Sequence, residues 1–512
     1  MDFPTSVTAF EALLRRIRWH RFAPLDSAPT VGLVVGPYLF TQVPWFTLTI
    51  GILYRMRGWN IWIVCDDMLF GDQAEFQAQN EQIQRILFRS FQKYPITRLS
   101  ELKFDHIPNT KIDSLLKNSA ILNACWKLQS TEFSPQLEEL ATQMQKQFIQ
   151  TYPKIHSLLK NQRIDHWITP HGIYGNAGLY IAECQQNQIR ISSYDAGPGM
   201  LLLGLNGVAG YQTDIAYTME SWPILANPEI RYQICELAEA GLKNRFMGKD
   251  FWKSQPIEFA DSQLNEIYDI IIPLNIDYDS AALGKHRFFR NSMEWVEETV
   301  YFILNSTAAK VAVRQHPAER NDLKPRTIFE KLIQKYQSHS RFHFFRAADK
   351  INSYRLIENS LLVLPHVSTI GVESAVLGKK IILEAHSYYS KMSFAQLAHS
   401  KQEYFQMIAD SLKSPQGLTE SQIEDAKICY QLQLSNPIYS NFTPQPEDFE
   451  IWSKWSLRHF MQNPHVKILM DSLTQNKPAC WIQTENQVNP SSNSHLTLSQ
   501  KMTSHLKNFL GR

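Results

Sequence analysis

The sequence has no large excess of either charge, and this absence narrows the classes of partner that the chain can have. Its 51 lysine and arginine residues are nearly matched by 49 aspartate and glutamate residues, which leaves a formal net charge of +2. Nucleic-acid-binding proteins commonly carry a basic block, a zinc-ligand pattern or an aromatic RNA-binding motif. The sequence contains none of these, so we expect no nucleic-acid partner.

Cysteine is scarce, and its spacing suggests neither a disulfide framework nor a metal site. The six cysteines are scattered without a CxxC pair through 512 residues. A chain of this length can bury enough apolar core to fold without disulfide bonds. The amino end carries charges among its apolar residues and lacks the apolar segment of a secretory signal. We therefore expect a cytoplasmic protein with reduced thiols.

Uninterrupted apolar runs are also missing. Residues 31–54 carry no charge and are long enough to cross a bilayer, but Pro37 and Pro44 interrupt them. The pattern predicts a strand at 31–35, a helix that begins near Pro44, and a second strand at 60–65. A parallel sheet is buried on both faces, so this βαβ unit explains the uncharged stretch better than a membrane span does.

The most informative feature that is present is a pair of strand-like runs, each followed by residues suited to phosphate. The first run, 308–313, leads into Arg314, His316, Pro317 and Glu319. A guanidinium and an imidazole thus follow a predicted strand, at the edge where open α/β sheets bind their ligands. A His-Pro pair alone is also typical of a simple turn.

The second run, 360–364, leads into Ser368 and Thr369, after which 372–377 has a helical pattern. A helix that begins here offers free N–H groups, two hydroxyls and a positive dipole end to a phosphate, although Ser-Thr alone also fits a plain helix cap. With a third predicted strand at 380–384, the two runs describe consecutive βα units of one doubly wound domain with a shared ligand site.

In this order, the motifs resemble the carboxyl-terminal domain of bacterial capsule polysaccharide biosynthesis glycosyltransferases, the group that includes Kdo transferases. The matching residues lie between about 270 and 412 and are Pro273-Leu274-Asn275 with Asp279-Ser280, Arg314-x-His316-Pro317-x-Glu319, Ser368-Thr369-x-Gly371-x-Glu373, and His386-Ser387-Tyr388-Tyr389. The resemblance implies an α/β chain of GT-B architecture, in which two Rossmann-like doubly wound domains face each other across a cleft.

The expected domain organisation combines that architecture with the patterns along the chain. It consists of an acceptor domain at 1–218 with a helical insertion at about 76–160, a linker at 219–264, a nucleotide-sugar domain at 265–440, helices that cross back at 441–485, and a mobile tail at 486–512. Within the insertion, apolar residues at helical spacing predict helices at 81–94, 111–129 and 135–151.

Asp195 is the leading candidate for a catalytic base. Glycosyl transfer with inversion needs a carboxylate that takes the proton of the acceptor hydroxyl. In the resembling family, an acidic residue before a glycine at the end of a late strand is the proposed base, and Asp195-x-Gly197 follows the predicted strand at 189–194. An ordinary turn at Asp195 is the alternative. His171, followed by Gly172 after the preceding strand, is the competing candidate for the base, and a loop histidine with satisfied hydrogen bonds is the alternative there.

On the donor side, the resemblance implies that Arg314 and His316 contact the leaving phosphate while Ser368 and Thr369 donate to its oxygens. Removing positive charge there should slow cleavage of the bond to the leaving group. Glu373 lies about one turn into the predicted helix. It fits either a contact with the ribose or base, or a first-turn acid that matches the helix dipole.

Asp277-Tyr278-Asp279 has the Asp-x-Asp spacing by which many GT-A glycosyltransferases bind a divalent cation. The order of the other motifs belongs to the GT-B type, in which cationic side chains and a helix terminus meet the phosphate charge. We therefore expect neither a metal nor a cofactor besides the donor. Asp279-Ser280 is better explained as a cleft loop that meets the donor or the acceptor.

The sequence thus predicts an enzyme, an inverting glycosyltransferase that moves a sugar from a nucleotide donor to a surface polysaccharide or glycolipid. A nucleotide-sugar epimerase or polyol-phosphate transferase of the same architecture stays open, as does a non-catalytic module that binds a nucleotide or glycan. Peripheral contact with the inner membrane also stays open, because acceptors in the resembling family are often lipid-linked. Donor sugar, acceptor and oligomeric state depend on packed cleft contacts that these motifs do not specify.

Overall fold

Two mainly parallel β-sheets flanked by helices organise the chain in a computed structural model. The structure describes residues 3–38, 41–68, 74–104, 110–251, 266–321 and 329–489. Its strands are β1 (Thr30–Val35), β2 (Asn60–Cys65), β3 (Ile96–Arg98), β4 (His166–Pro170), β5 (Ile191–Gly197), β6 (Met200–Gly204), β7 (Ile270–Pro273), β8 (Val311–Arg314), β9 (Phe342–Phe345), β10 (Leu362–Val363), β11 (Lys380–Leu383), β12 (Ala395–Leu397) and β13 (Ile438–Tyr439).

The helices are α1 (Phe3–Arg16), α2 (Val43–Met56), α3 (Ala74–Ser90), α4 (Thr110–Leu128), α5 (Pro135–Asn161), α6 (Ala177–Gln186), α7 (Thr213–Ser221), α8 (Pro228–Phe246), α9 (Ser292–Ser306), α10 (Glu330–Tyr336), α11 (Ser353–Glu358), α12 (Ile370–Val376), α13 (Lys401–Lys413), α14 (Glu420–Leu434), α15 (Pro446–Trp452), α16 (Leu457–Gln462), α17 (Pro464–Gln475) and α18 (Ala479–Val488).

The strand order is the same in the parallel part of both sheets. The first sheet is ordered β13-β6-β5-β4-β1-β2-β3, and the second is ordered β12-β11-β10-β7-β8-β9. Counted within its own domain, each sheet therefore contains the order 3-2-1-4-5 of a Rossmann fold, in which ligands bind where the strand order reverses. The predicted α/β class with two Rossmann-like doubly wound domains is confirmed.

The uncharged segment near the amino end forms β1 and α2, as its interruptions predict. Along α2, every residue from Val43 to Tyr54 is buried, and β1 pairs in parallel with β2 and β4. Burial from all sides explains the missing charges. Among the described residues, no helix combines the length and the apolar character needed to cross a membrane.

The helices of the insertion differ from the predicted ones mainly at their ends. Helix α3 begins at Ala74 and ends at Ser90, and α5 extends to Asn161 although Pro153 lies inside it. Tyr152 and Ile155, which lie on either side of that proline, are buried in the core of the first domain. Tertiary packing therefore maintains the helix through a residue that normally ends one.

The turn predicted at Asp195 is instead part of a β-hairpin. Strand β5 continues to Gly197, and the chain reverses and pairs antiparallel with β6, so that Asp195 lies opposite Leu202. The apolar run of β6 has no polar alternation and follows a Pro-Gly pair, so its sequence pattern does not indicate a separate strand. The ladder holds the backbone of Asp195 more firmly than an open turn would.

The segment expected to be a linker contains α8, which packs against the second domain. Ile230, Ile234 and Ala238 of α8 belong to the same buried cluster as Val363 of β10. The chain later returns to the first domain, where β13 pairs with β6. Between residues 441 and 485, where helices that cross back are expected, the chain forms α15, α16 and α17 and begins α18. Residues 252–265 and the tail from 490 onward lie outside the described residues.

Candidate functional site

Sheet register brings three polar loops together at the carboxyl edge of the second sheet. Strand β7 pairs with both β8 and β10, with Pro273 opposite Arg314. The loops that follow these strands surround one pocket, here called the strand-end pocket. It is lined by Arg245, Pro273, Leu274, Arg314, His316, Pro317, Ser353, Tyr354, Ser368, Thr369, Ile370 and Glu373. The two phosphate motifs inferred from the sequence therefore share one cavity.

Gly371 allows a close approach that shapes the loop before α12. The Tyr389 hydroxyl donates to the Ser368 carbonyl at 2.8 Å. A Cβ added at Gly371 would lie 2.8 Å from Tyr389 Cζ and still closer to the hydroxyl oxygen. The absence of a side chain at Gly371 therefore permits the tyrosine to hold this loop in place.

Replacing Gly371 with alanine should consequently displace the loop that carries Ser368 and Thr369. Overpacking of this kind costs about 1–3 kcal/mol, and we expect a lower melting temperature together with weaker nucleotide binding, measured by thermal shift and calorimetry. Gly417→Ala is the matched control, since its added Cβ would meet its nearest neighbour at 3.4 Å. Equal behaviour of the two variants would contradict this role for Gly371.

Arg314 lies inside the domain and its guanidinium holds a neighbouring loop. Only 2% of the residue is exposed. It donates to the carbonyl of Arg346, to the carbonyl of Ile351 at 3.3 Å and to the hydroxyl of Ser353 at 3.4 Å. Burial lowers the pKa of Arg314 to about 10. The sequence predicts that Arg314 contacts phosphate directly. In the structure its guanidinium also fixes residues 346–353 at the wall of the pocket.

His316 is half-buried in the lining of the strand-end pocket. Its Nδ1 accepts the backbone N–H of Ala318 at 3.3 Å, which assigns the proton of the neutral ring to Nε2. Pro317 starts a short 3₁₀ turn and lines the pocket. Glu319, by contrast, is buried outside the pocket lining and accepts from the Gln315 side chain at 2.7 Å. Its contact stabilises the loop.

Glu373 is buried in an ionic network with a residue that the sequence did not reveal. Arg245, on α8, places its Nε 2.6 Å from Glu373 Oε1 and also binds Asp250 at 2.7 Å. The Tyr354 hydroxyl donates to Glu373 at 2.9 Å. Burial raises the pKa of Glu373, against the charge of Arg245 and the hydrogen bond from Tyr354. No local signal marked Arg245, because it lies in the segment expected to be a linker.

A second group of predicted residues meets where the two domains touch. Strand β4 pairs with β5 so that Pro170 is opposite Tyr194, which places the next residues, His171 and Asp195, side by side. His171 Nδ1 lies 3.2 Å from Asp195 Oδ1. Across the domain boundary, the Ser280 hydroxyl donates to Asp195 Oδ2 at 3.2 Å.

Backbone geometry keeps His171 and Ser280 beside the carboxylate. His171 and Gly172 both have positive φ angles, 55° and 93°, so the chain turns sharply at the end of β4. Gly210 of the first domain lies directly against Ser280, where a Cβ would collide with the serine side chain. The contact between domains is therefore close as well as polar.

The pKa values of Asp195 and Asp279, the two acids near this contact, are shifted in opposite directions. Burial alone would raise the pKa of Asp195, but the hydrogen bond from His171, its charge and further donors bring that pKa below the ordinary value. Burial and the nearby Asp195 charge raise the pKa of Asp279. The Ser280 hydroxyl lies 3.2 Å from both Asp195 Oδ2 and Asp279 Oδ1, and its single proton can be donated to either acid. Asp195 is thus available as an ionised proton acceptor.

One loop connects the strand-end pocket with this interdomain contact. Leu274 lines the pocket, and Ser280 of the same loop reaches Asp195. Six residues of fully extended chain span at most about 20 Å. The pocket and the carboxylate therefore lie within reach of one extended small molecule.

Side chains of metal-ligand type converge elsewhere in the described part of the chain, at His286, His366 and Glu384. Both Nδ1 atoms contact the same oxygen of Glu384, at 2.8 and 2.5 Å, and the two rings stack with centroids 4.0 Å apart. The imidazole nitrogens that face this cluster are thus engaged by the Glu384 carboxylate. Burial raises the pKa of Glu384, but the hydrogen bonds from both histidines bring it to about 2.

Comparisons with known proteins give similarities of fold at low identity. No protein-family model matches the sequence, and no curated protein matches it. Similar solved structures include the β-Kdo 2,7-transferase of Thermosulfurimonas dismutans KpsC, at 12% identity and a TM-score of 0.33, covering 56% of this chain and 81% of that chain. Its β-Kdo 2,4-transferase has 13% identity, a TM-score of 0.32 and coverages of 52% and 87%.

Acinetobacter baumannii MurG is also similar, at 8% identity and a TM-score of 0.26, covering 79% of this chain and 94% of that chain. The Kdo transferases belong to the group that the sequence motifs resemble. Similarity at this level concerns the fold alone, so the activity of this chain has to be inferred from its own residues.

Proposed function

We propose that the chain is an inverting glycosyltransferase of the GT-B type that transfers a sugar from a nucleotide donor to a surface polysaccharide or glycolipid. The observation that supports this most is the meeting of Asp195 with Ser280, on the loop that begins at the strand-end pocket. One domain contributes an ionised acid and the other contributes a pocket lined with hydrogen-bond donors.

In this proposal, Asp195 takes the proton of an acceptor hydroxyl whose oxygen attacks the anomeric carbon of the donor. The new bond between that oxygen and the anomeric carbon forms as the bond from the carbon to the phosphate oxygen breaks. The nucleotide leaves with the electron pair of the broken bond. His171 stabilises the reactive form of Asp195 through the 3.2 Å contact described above.

The leaving phosphate is met by polar side chains of the strand-end pocket, which are the imidazole of His316 and the hydroxyls of Ser368 and Thr369. We propose that the reaction needs no metal ion. Asp277, in the Asp-x-Asp segment, already accepts from Thr131 at 2.6 Å, and Asp279 accepts the backbone N–H of Ala281 at 3.2 Å.

Incubation with a panel of CMP-, UDP-, GDP- and CDP-sugars tests this proposal. Thermal stabilisation by one nucleotide class should accompany slow nucleotide release that accelerates when a glycan acceptor is added. Epimerised sugar nucleotide without an acceptor would favour the epimerase alternative. Binding without turnover under any condition would favour a non-catalytic module.

We also propose that the first domain contacts an anionic membrane through a basic face. This face is built from the end of α1, the turn after it and the end of α3, and comprises the exposed residues Arg15, Arg18, Arg21, Arg85, Arg89 and Lys93 with Leu25 and Phe88. The segments form one surface, because Trp19 stacks on Tyr94 and Lys93 donates to the His20 carbonyl at 2.8 Å. Two acids border this face, Glu11, which pairs with Arg89 at 3.3 Å, and Asp26, which is exposed beside Leu25.

Vesicle sedimentation should detect this contact. Each basic residue near an anionic surface contributes about 1 kcal/mol, so Arg18→Gln with Arg21→Gln should weaken binding to phosphatidylglycerol-containing vesicles by about 30-fold. Neutral phosphatidylcholine vesicles should bind neither protein. Lys331→Gln with Lys335→Gln, at exposed positions of α10, removes the same number of charges and is the matched control. Unchanged sedimentation of the double variant would refute the basic face.

A further inference from the structure

Five basic side chains that the proposed chemistry does not use lie together beside the candidate site. They come from the loop before α9, the turn after β11 and the residues after β12. We call them the cationic rim, and they are Lys285, Arg287, His386, Lys391 and His399. Arg287, His386, Lys391 and His399 are exposed, and Lys285 is partly buried.

Backbone contacts fix these segments next to one another. His286 forms an antiparallel bridge with Ala385. Arg287 Nη1 donates to the carbonyl of Ala398 at 2.6 Å. The residues on either side of His286 and those that follow Ala385 and Ala398 therefore belong to one surface.

The basic groups of the rim repel one another electrostatically. Burial lowers the pKa of His386, and the charges of the four other members lower it further. Within the described residues, no ion pair joins a member of the rim to a carboxylate. A surface that gathers more positive than negative charge gains stability when an anion binds.

The carboxylates adjacent to the rim are already engaged. Glu384 is buried and accepts from the Nδ1 atoms of His286 and His366. Glu403 accepts the backbone N–H of His399 at 2.7 Å. Glu403 offsets part of the charge near His399 and leaves the other members unpaired.

The rim borders both parts of the candidate site. The Lys285 ammonium lies 3.0 Å from the ring centroid of Tyr211, which follows the glycine that packs against Ser280. Burial there lowers the pKa of Lys285 to about 8. On the other side, the turn that contains His386 also contains Tyr389, which holds the Ser368 carbonyl.

We infer that the cationic rim is a second anion subsite, which binds a phosphate or carboxylate group of the acceptor glycan while the nucleotide occupies the strand-end pocket. This inference rests on the proposed function. Lys285 lies on Tyr211, the neighbour of the glycine that packs against Ser280, so the rim borders the side of the site where an acceptor hydroxyl must reach Asp195. The acceptor is accordingly an anionic glycan, whose charge orients it in the cleft.

Calorimetric titration of the full chain with three glycan probes tests the inference. The probes are a short oligogalacturonate, a short glycerol-phosphate oligomer and neutral maltohexaose, and they distinguish a carboxylate, a phosphodiester and an uncharged ligand. At least one anionic probe should bind about tenfold or more tightly than maltohexaose, and Lys285→Gln with Lys391→Gln should remove about that factor. Saturation with the nucleotide identified in the donor panel should leave this binding in place.

Lys391→Gln alone, at an exposed position, keeps the test valid if the double variant does not fold, and should weaken binding several-fold. Lys335→Gln is the control and should change nothing. Equal affinity for the three probes, unchanged binding by Lys391→Gln, or competition between the anionic probe and the nucleotide would overturn the inference. Failure of the proposed function would appear separately, as absent turnover in the donor panel with the anionic probe still bound at the rim.

Discussion

Replacing Asp195 with asparagine should lower kcat by about 10²–10⁴, the range for loss of a general base, while nucleotide affinity stays unchanged. The amide preserves the size of the side chain but cannot accept the acceptor proton. Nucleotide binding should persist because its donors belong to the strand-end pocket of the other domain. Single-turnover kinetics combined with calorimetry would measure both quantities.

The pH dependence identifies the role of Asp195 more closely. Its pKa lies below the ordinary aspartate value, so the acid limb of kcat/KM should fall below the usual aspartate range. His171→Asn removes the first group that opposes burial, so the limb should then move to higher pH. A Ser280→Ala variant, which removes a weaker contact, should move it less. A limb that is unaffected by His171→Asn would exclude Asp195 as the titrating base.

Replacing Arg245 with methionine should destabilise the second domain by about 3–5 kcal/mol, because it leaves the buried Glu373 without its cationic partner. Urea unfolding followed by circular dichroism would measure the loss. Adding Glu373→Gln should restore part of it, since the uncompensated charge is then removed. Lys335→Met breaks an exposed pair with Glu297 and should cost at most about 1 kcal/mol.

The sign of the pH effect in the Arg245→Met variant is a further check. Burial already raises the pKa of Glu373, and without Arg245 nothing of equal strength opposes it. The folded state then binds a proton more readily than the unfolded state, so the deficit should shrink as the pH is lowered and grow as it rises. A deficit independent of pH would mean that lost packing, and not the unpaired carboxylate, causes the instability.

The sequence alone predicts those elements and site residues for which the local pattern and the tertiary structure agree. Apolar runs followed by polar residues predicted β8 and β10, and parallel pairing with β7 then brought His316 and Ser368 to one pocket. The same logic identified His171 and Asp195 at the ends of neighbouring strands, and the register of β4 with β5 places them in contact. Periodicity and strand-end chemistry are local properties, which a single sequence carries.

Contacts between segments that are distant in the chain could not be predicted from local sequence patterns. Arg245 is far from Glu373 in the chain, and only packing of α8 on the second domain joins them. Arg314 follows its strand as expected, but the carbonyl groups that engage its guanidinium belong to a loop whose path is set by the fold. The contact of Ser280 with Asp195 likewise depends on how the domains meet.

A crystal structure of the protein with its nucleotide donor would test the central claim most directly. We expect the donor phosphates within hydrogen-bond distance of His316, Ser368 or Thr369, and the anomeric carbon turned toward Asp195. Phosphates bound by the first domain, or a sugar whose anomeric carbon lies on the side of the pocket away from Asp195, would contradict it.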